Sequence, residues 1–209
     1  VDANYAAPAP ASAFISTALV NSAFVAIFRI YDLYAATGEV FTWARHTLIL
    51  IGILSLAVGA MFLRRTNNYK RFLSYSTVEN MGIVAIGMGI GGVALWAAVL
   101  HVICHTFVKS SMFFHAGIMR HIYDSYSINR IGNYMSINRV GAIGFIVGTL
   151  VLLAFPPSPL FISEVMIFSE IVGVGSWWLL VAMLILMCVV IYNIWSRSLR
   201  LSYHSNQDE

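Results

Sequence analysis

The chain has 209 residues, 59% of them apolar and only 10% charged, with a formal net charge of +3 and a mean hydropathy of +0.80. Soluble globular domains carry about 25% charged residues. The composition therefore excludes an ordinary soluble domain and predicts an all-α, polytopic transmembrane helix bundle that forms a single domain over 1–209.

A membrane-spanning helix needs about 20 mostly apolar residues, and six candidate crossings follow one another along the sequence. The first covers 10–28 and carries Asn21, a polar residue that serves either as a water-holding link or as an interhelical hydrogen bond. The second covers 46–63, followed by the basic loop RRTNNYKR, whose Arg64, Arg65, Lys70 and Arg71 read as topology signals and contacts for anionic lipid. The third is short, 77–90, and rich in glycine and methionine; GIVAIGMGIGG suits close helix packing of the small-xxx-small kind. Glu79 lies near its start. It either faces an intramembrane cation or is a first-turn carboxylate that favours the helix dipole, and spacing does not separate the two.

The fourth candidate, 93–119, contains ALWAAVLHVICHTFVKSSMFF, with His101, His105 and Lys109 at i, i+4 and i+8. At about 100° per residue these fall in a narrow stripe on one helix face. A charge at the centre of a spanning helix costs about 2.5–3.5 kcal/mol on insertion scales, so such groups face a bundle interior or a water-filled path and usually move charge. Histidine titrates near neutrality and suits proton transfer along the stripe. His115, six residues past Lys109, lies about 120° off the stripe and outside it.

The fifth candidate is interrupted: 139–155, then Pro156, Pro157 and Pro159, then 160–172. Prolines break a helix, and broken helices with ionisable neighbours mark ion and substrate sites in transporters. Glu164 lies five residues past Pro159, and Glu170 further along the same half-helix. The bland alternative is a kink that shapes packing. The sixth candidate covers 177–195, with Trp177, Trp178 and Trp195 as interfacial anchors. Residues 199–209 are expected to be a cytoplasmic tail.

Loops alternate sides, so Arg64, Arg65, Lys70, Arg71, Arg120, Arg130, Arg139, Arg197 and Arg200 share one side and Arg29 and Arg45 the other. Nine against two is a positive-inside bias that makes the first side, with the C-terminus, cytoplasmic. The two cysteines, Cys104 and Cys188, lie in apolar runs; they cannot by themselves form a Cys-rich metal or iron–sulfur site and are expected to be packed and inert. The sequence shows no phosphate-binding glycine loop, nucleophile elbow or metal-ligand cluster, so no catalytic residue, metal or cofactor is expected in this chain, and no nucleic-acid partner. Val1 opens a stretch that reads as mid-protein, without a signal-peptide pattern, and the expectation is a fragment or the C-terminal half of a longer polytopic chain.

Four segments carry a resemblance: DANYAAPAPASAFIST, YKRFLSYSTVENMGI, LHVICHTFVKSSMFFHAG and FPPSPLFISEVMIF. In this order they resemble motifs of the proton-translocating, antiporter-like membrane subunits shared by respiratory complex I, multisubunit cation/proton antiporters and membrane-bound NiFe hydrogenases. ENMG and FISE lean towards the hydrogenase branch, above all the component F-like subunits of group 4 hydrogenases and formate hydrogenlyase-like complexes. The family's chains are about twice this length, and the match would correspond to the second inverted repeat (46–198) plus the last helix of the first (1–30).

The resemblance implies that Lys109 is the central proton-carrying lysine, that His101 and His105 connect to it, and that Glu164 is the terminal carboxylate on the broken helix. Asn21 stands where some members have a lysine or histidine. It further implies a multi-pass protein of the prokaryotic plasma (inner) membrane, in a hetero-oligomeric complex with other membrane subunits and peripheral redox subunits, which would hold the NiFe centre and the iron–sulfur clusters. The leading expectation is a proton-translocating subunit of a hydrogenase- or NADH dehydrogenase-like redox complex, with a buried Glu/His/Lys axis and a proton pathway of Glu79, His101, His105, Lys109, Glu164 and Asn21. The alternatives are one component of a multisubunit sodium/proton antiporter, and a non-transporting membrane anchor of the complex.

Overall fold

The structure, a computed structural model, describes residues 1–34 and 38–203. Among them it is helical throughout, with no strand beyond one isolated bridge between Asn68 and Ser127. A short helix α1 (Asp2–Ala6) leads into α2 (Ala9–Phe14), a π-helical turn (Ile15–Leu19) and α3 (Val20–Tyr34), which run on as one rod. Then come α4 (Glu39–Arg65), α5 (Tyr69–Ile90) and α6 (Gly92–Tyr123). A short α7 (Tyr134–Ile137) is followed by α8 (Arg139–Leu152), α9 (Pro159–Gly173) and α10 (Trp177–Tyr203).

Among the described residues, four helices are long and apolar enough to cross a membrane: Ala9–Tyr34, Glu39–Arg65, Gly92–Tyr123 and Trp177–Tyr203. The two other expected crossings have different characters. α5 begins at Tyr69, eight residues before the expected start, because Asn68 caps it by accepting from the amides of Lys70 and Arg71 at 3.0 and 3.3 Å. The extra turns carry Lys70, Arg71 and two serines, which a hydropathy reading rejects; Lys70, Ser74 and Ser76 are buried in the bundle, and Arg71 stays exposed. The interrupted segment forms two half-helices of 14 and 15 residues, each too short to span alone. Ser158 caps the second by accepting from the amide of Phe161 at 3.2 Å, and Pro159 takes the first helical position, where its missing N–H does no harm.

α5 is the centre of the bundle. It packs against α4 through glycines so closely that a Cβ on Gly82 would stand 2.7 Å from the Gly52 carbonyl, and one on Gly52 would stand 2.7 Å from that of Gly82. The glycine run is therefore a helix-packing surface, as its spacing suggests. At one end of the bundle, the backbone bonds Tyr69 N–H to Tyr126 O (2.9 Å) and Ile128 N–H to Asn67 O (2.8 Å) bring the α4–α5 loop against the loop after α6. Arg197 donates there to the carbonyls of Thr66 and Arg64, which brings the end of α10 to the same place. The opposite end is tied by Arg45, which donates to the Gly89 carbonyl at 2.8 Å and to that of Ile90, closing the C-terminus of α5.

Two expectations about single residues change. Lys70 is not a surface base: it is fully buried, donates to the Ala7 carbonyl and lies over the Tyr126 ring at 5.1 Å. The short helix α1 and Pro8 fold back over it, a tertiary contact invisible in the loop composition. Cys104 is half-buried, whereas Cys188 faces outward on α10 rather than into a packed core. Helix α10 continues to Tyr203, through the first five residues of the expected tail; residues 204–209 lie outside the described residues.

Candidate functional site

The 3.6-residue period of α6 turns His101, His105 and Lys109 inward together, and all three are buried. α5 packs beside them and offers Ser76, Glu79 and Asn80, also buried. α9 closes the third side with Ser163 and Glu164, the latter 8% exposed. Three helices thus bring a cluster of ionisable and hydroxyl groups into the middle of an apolar bundle.

The cluster is wired by short hydrogen bonds. Lys109 Nζ donates to the Leu73 carbonyl at 2.8 Å and to Ser76 Oγ. Asn80 Nδ2 donates to Glu79 Oε2 at 2.6 Å and to the Ser76 carbonyl at 2.7 Å. The other atom of the same amide, Asn80 Oδ1, lies 3.1 Å from His101 Nε2, and His101 Nδ1 lies 2.9 Å from Ser163 Oγ. His105 is stacked on His101, ring centroids 6.4 Å apart and planes 14° from parallel. Its Nε2 is buried without a hydrogen-bond partner, which in a lipid-spanning bundle is a costly state to maintain.

Glu79 interacts electrostatically with Lys109 on one side and with Glu164 on the other. The two carboxylates line one small cavity with Leu152, Leu153, Met187, Val190 and Ile191; the space open to a water's centre is about 10 Å³. That is near the least volume that admits a single water. Glu79 is ten residues inside α5, about 15 Å from its first residue, Tyr69, at 1.5 Å per residue. The helix-dipole reading of this carboxylate therefore fails.

The structure gathers five of the six residues singled out in the sequence: Glu79, His101, His105, Lys109 and Glu164. Asn21 is elsewhere: its Nδ2 donates to Thr106 Oγ1 at 2.8 Å, an interhelical bond from α3 to the flank of α6. His115 is outside the cluster as expected, with its ring edge-on to Phe145 of α8.

Asn80, Ser76 and Ser163 were not anticipated. Asn80 is the amide that joins the Glu79 end of the cluster to the histidines, and ENMG gave a signal for it, since an asparagine beside a buried glutamate on an apolar helix needs partners. Gly59 is a further silent contributor. A Cβ there would stand 2.7 Å from the Glu79 Cβ, so α4 is a smooth wall that holds Glu79 in place.

Comparison with known proteins sets this geometry in context. A hydrogenase-4 component F homolog from Methylacidiphilum infernorum is 32% identical over 170 residues, covering 81% of this chain and 36% of that one. A Na(+)/H(+) antiporter subunit from Alkalihalophilus pseudofirmus is 28% identical over 181 residues, 79% of this chain and 22% of its own. The chain thus spans about a third or less of the length of these curated relatives. In three dimensions the whole chain superposes on 43% of a chain in the membrane-bound sulfane sulfur reductase, an archaeal respiratory membrane complex, with a TM-score of 0.89 at 22% identity. That likeness gives the fold, a helical membrane fold. Residues 1–190 match the family described as NADH:quinone oxidoreductase/Mrp antiporter, TM, and the chain is a multi-pass membrane protein that belongs to it.

Proposed function

We propose that this chain is the proton-translocating part of a membrane subunit of a hydrogenase- or NADH dehydrogenase-like redox complex. The observation that carries the reading is the buried wiring from Lys109 through Ser76, and from Glu79 through Asn80 to His101 and Ser163, which joins α5, α6 and α9 at mid-bundle. Buried ionisable groups are costly in lipid and persist where they carry charge. Lys109 takes and releases the proton. Glu79 balances its charge, His105 and His101 relay, and Glu164 is the terminal carboxylate on the broken helix.

In this reading α5 and the α8–α9 pair are the third and fifth of six crossings. The end holding Arg64, Arg65, Lys70 and Arg71 faces the cytoplasm with the C-terminus, and the membrane is a prokaryotic inner membrane. Peripheral partner subunits carry the redox chemistry, with a NiFe centre and iron–sulfur clusters, and other membrane subunits flank the chain. Similarity to the component F homolog supports this complex type. Similarity to the Na(+)/H(+) antiporter protein supports a second reading, one component of a multisubunit sodium/proton antiporter without redox partners.

The test is Lys109→Ala in the complete complex, in membrane vesicles, with proton movement followed by a pH-sensitive dye during turnover. Proton translocation is expected to be lost. Undiminished translocation per turnover would overturn the axis. Sodium-dependent proton exchange in vesicles devoid of hydrogenase and quinone reductase would move the assignment to the antiporter.

A further inference from the structure

Between Lys109 and the basic end of the bundle lies a tight apolar cluster that includes Leu73, Met112, Phe113, Phe145 and Ala142. Its buried tyrosines are Tyr69 and Tyr134. Tyr69 is 1% exposed, yet its hydroxyl has no hydrogen-bond partner. A second orphan, Nδ1 of His115, is buried nearby. Both rings pack edge-on against the same phenyl group: Phe145 is 5.6 Å from the Tyr69 ring and 6.4 Å from that of His115. Burying a hydroxyl with nothing to bond is costly, and phenylalanine would fill the same space without that cost. Two orphaned polar atoms against one aromatic ring therefore call for an explanation beyond packing.

Their placement along the bundle supplies one. Tyr69 opens α5, and Leu73, whose carbonyl accepts from Lys109 at 2.8 Å, lies one turn deeper on the same face. On the other side, Tyr134 is buried in the same cluster as Tyr69, and the Tyr134 hydroxyl accepts from Asn138 Nδ2 at 3.4 Å. Asn138 is the half-exposed cap of α8, at the end where the loops meet. Polar atoms thus recur from that surface towards Lys109, through a layer that is otherwise apolar.

We propose that Tyr134, Tyr69 and His115 form a proton-conducting branch that joins Lys109 to the basic end of the bundle. The inference rests on the proton-translocation reading above and adds the route by which Lys109 exchanges protons with one side. A hydroxyl conducts by accepting a proton on its oxygen from one neighbour as its own proton passes to the next. An imidazole does so by gaining a proton at one ring nitrogen and losing one from the other, so no net charge remains. Water entering beside Tyr69 bridges the remaining gaps. His115 is crowded from α8, where a Cβ on Gly144 would stand 3.1 Å from its ring edge, so the ring is held in position for this exchange.

The experiment compares Tyr69→Phe, His115→Gln and Lys109→Ala in the complete complex, with dye-monitored proton translocation per turnover and a thermal melt of the purified complex. Tyr69→Phe keeps the ring contact with Phe145 and removes only the O–H. The branch predicts at least a fivefold loss of translocation with the melting midpoint unchanged or raised. Unchanged translocation in both Tyr69→Phe and His115→Gln, with loss in Lys109→Ala, would overturn the branch and leave the axis standing. Undiminished translocation in Lys109→Ala would remove both. If Tyr69→Phe does not assemble, Tyr134→Phe and His115→Gln decide by the same criterion.

Discussion

Helices α5 and α10 are both long enough to cross a bilayer, and they are built on opposite plans. α10 turns Trp178, Val181, Leu184, Ile185 and Tyr192 outward, and its composition is what a hydropathy reading seeks. α5 is enclosed by α4, α6 and α9 and buries Lys70, Ser76, Thr77, Glu79 and Asn80, so the same reading finds only its later part, 77–90, and misses its first two turns. The contrast teaches that apolar composition marks the periphery of such a bundle, where side chains meet lipid. At the centre, neighbouring helices replace lipid as solvent, and polarity is set by the chemistry the site performs.

Crowding the centre should have the largest effect. Gly82→Val pushes side-chain atoms into the Gly52 carbonyl and Ser55; overpacking of this kind costs about 3 kcal/mol. The expected outcome is a large drop in melting temperature or loss of assembly. A fully assembled complex of unchanged stability would show that the α4–α5 contact is looser than the geometry says.

Next comes charge at the centre. Glu79→Gln keeps the shape and the bond to Asn80 but removes the counter-charge to Lys109. Proton translocation per turnover should fall tenfold or more, equivalent to about 1.4 kcal/mol or more in a barrier. A vesicle assay with unaltered pumping would mean that Glu79 is a structural polar residue.

Asn80→Ala cuts the amide link between Glu79 and His101 while leaving both in place. A slowing of about fivefold, worth about 1 kcal/mol, is expected in the same assay. If the rate instead matches that of the unaltered complex, protons bypass this amide.

The smallest effect belongs to the flank. Asn21→Ala loses one interhelical hydrogen bond to Thr106. Bonds of this kind in membrane bundles average about 0.6 kcal/mol, so a small change in melting temperature is expected, with translocation unchanged. A loss of pumping there would put Asn21 on the path after all and erase the distinction between centre and flank.

Much of this was legible in the sequence for physical reasons. The stripe of His101, His105 and Lys109 follows from helical periodicity alone, and three prolines beside Glu164 announce a broken helix. Motif resemblance pointed to the family that residues 1–190 match. Local sequence could not give the partner across space. Glu79 had two readings until Asn68 was seen to cap α5 at Tyr69, which moved the carboxylate from a first turn to mid-helix. Lys70 read as a loop base until α1 folded over it.

The sequence by itself therefore determined which residues are too costly to be accidental in an apolar chain, because insertion energetics depend on composition and periodicity. Only the tertiary structure decided which of them meet. Contacts such as Asn80 to His101 and His101 to Ser163 join residues 21 and 62 positions apart. The close approach of α4 to α5 past Gly52, Gly59 and Gly82 positions α5 for those contacts, and packing of that kind is a property of pairs of helices, not of any one segment.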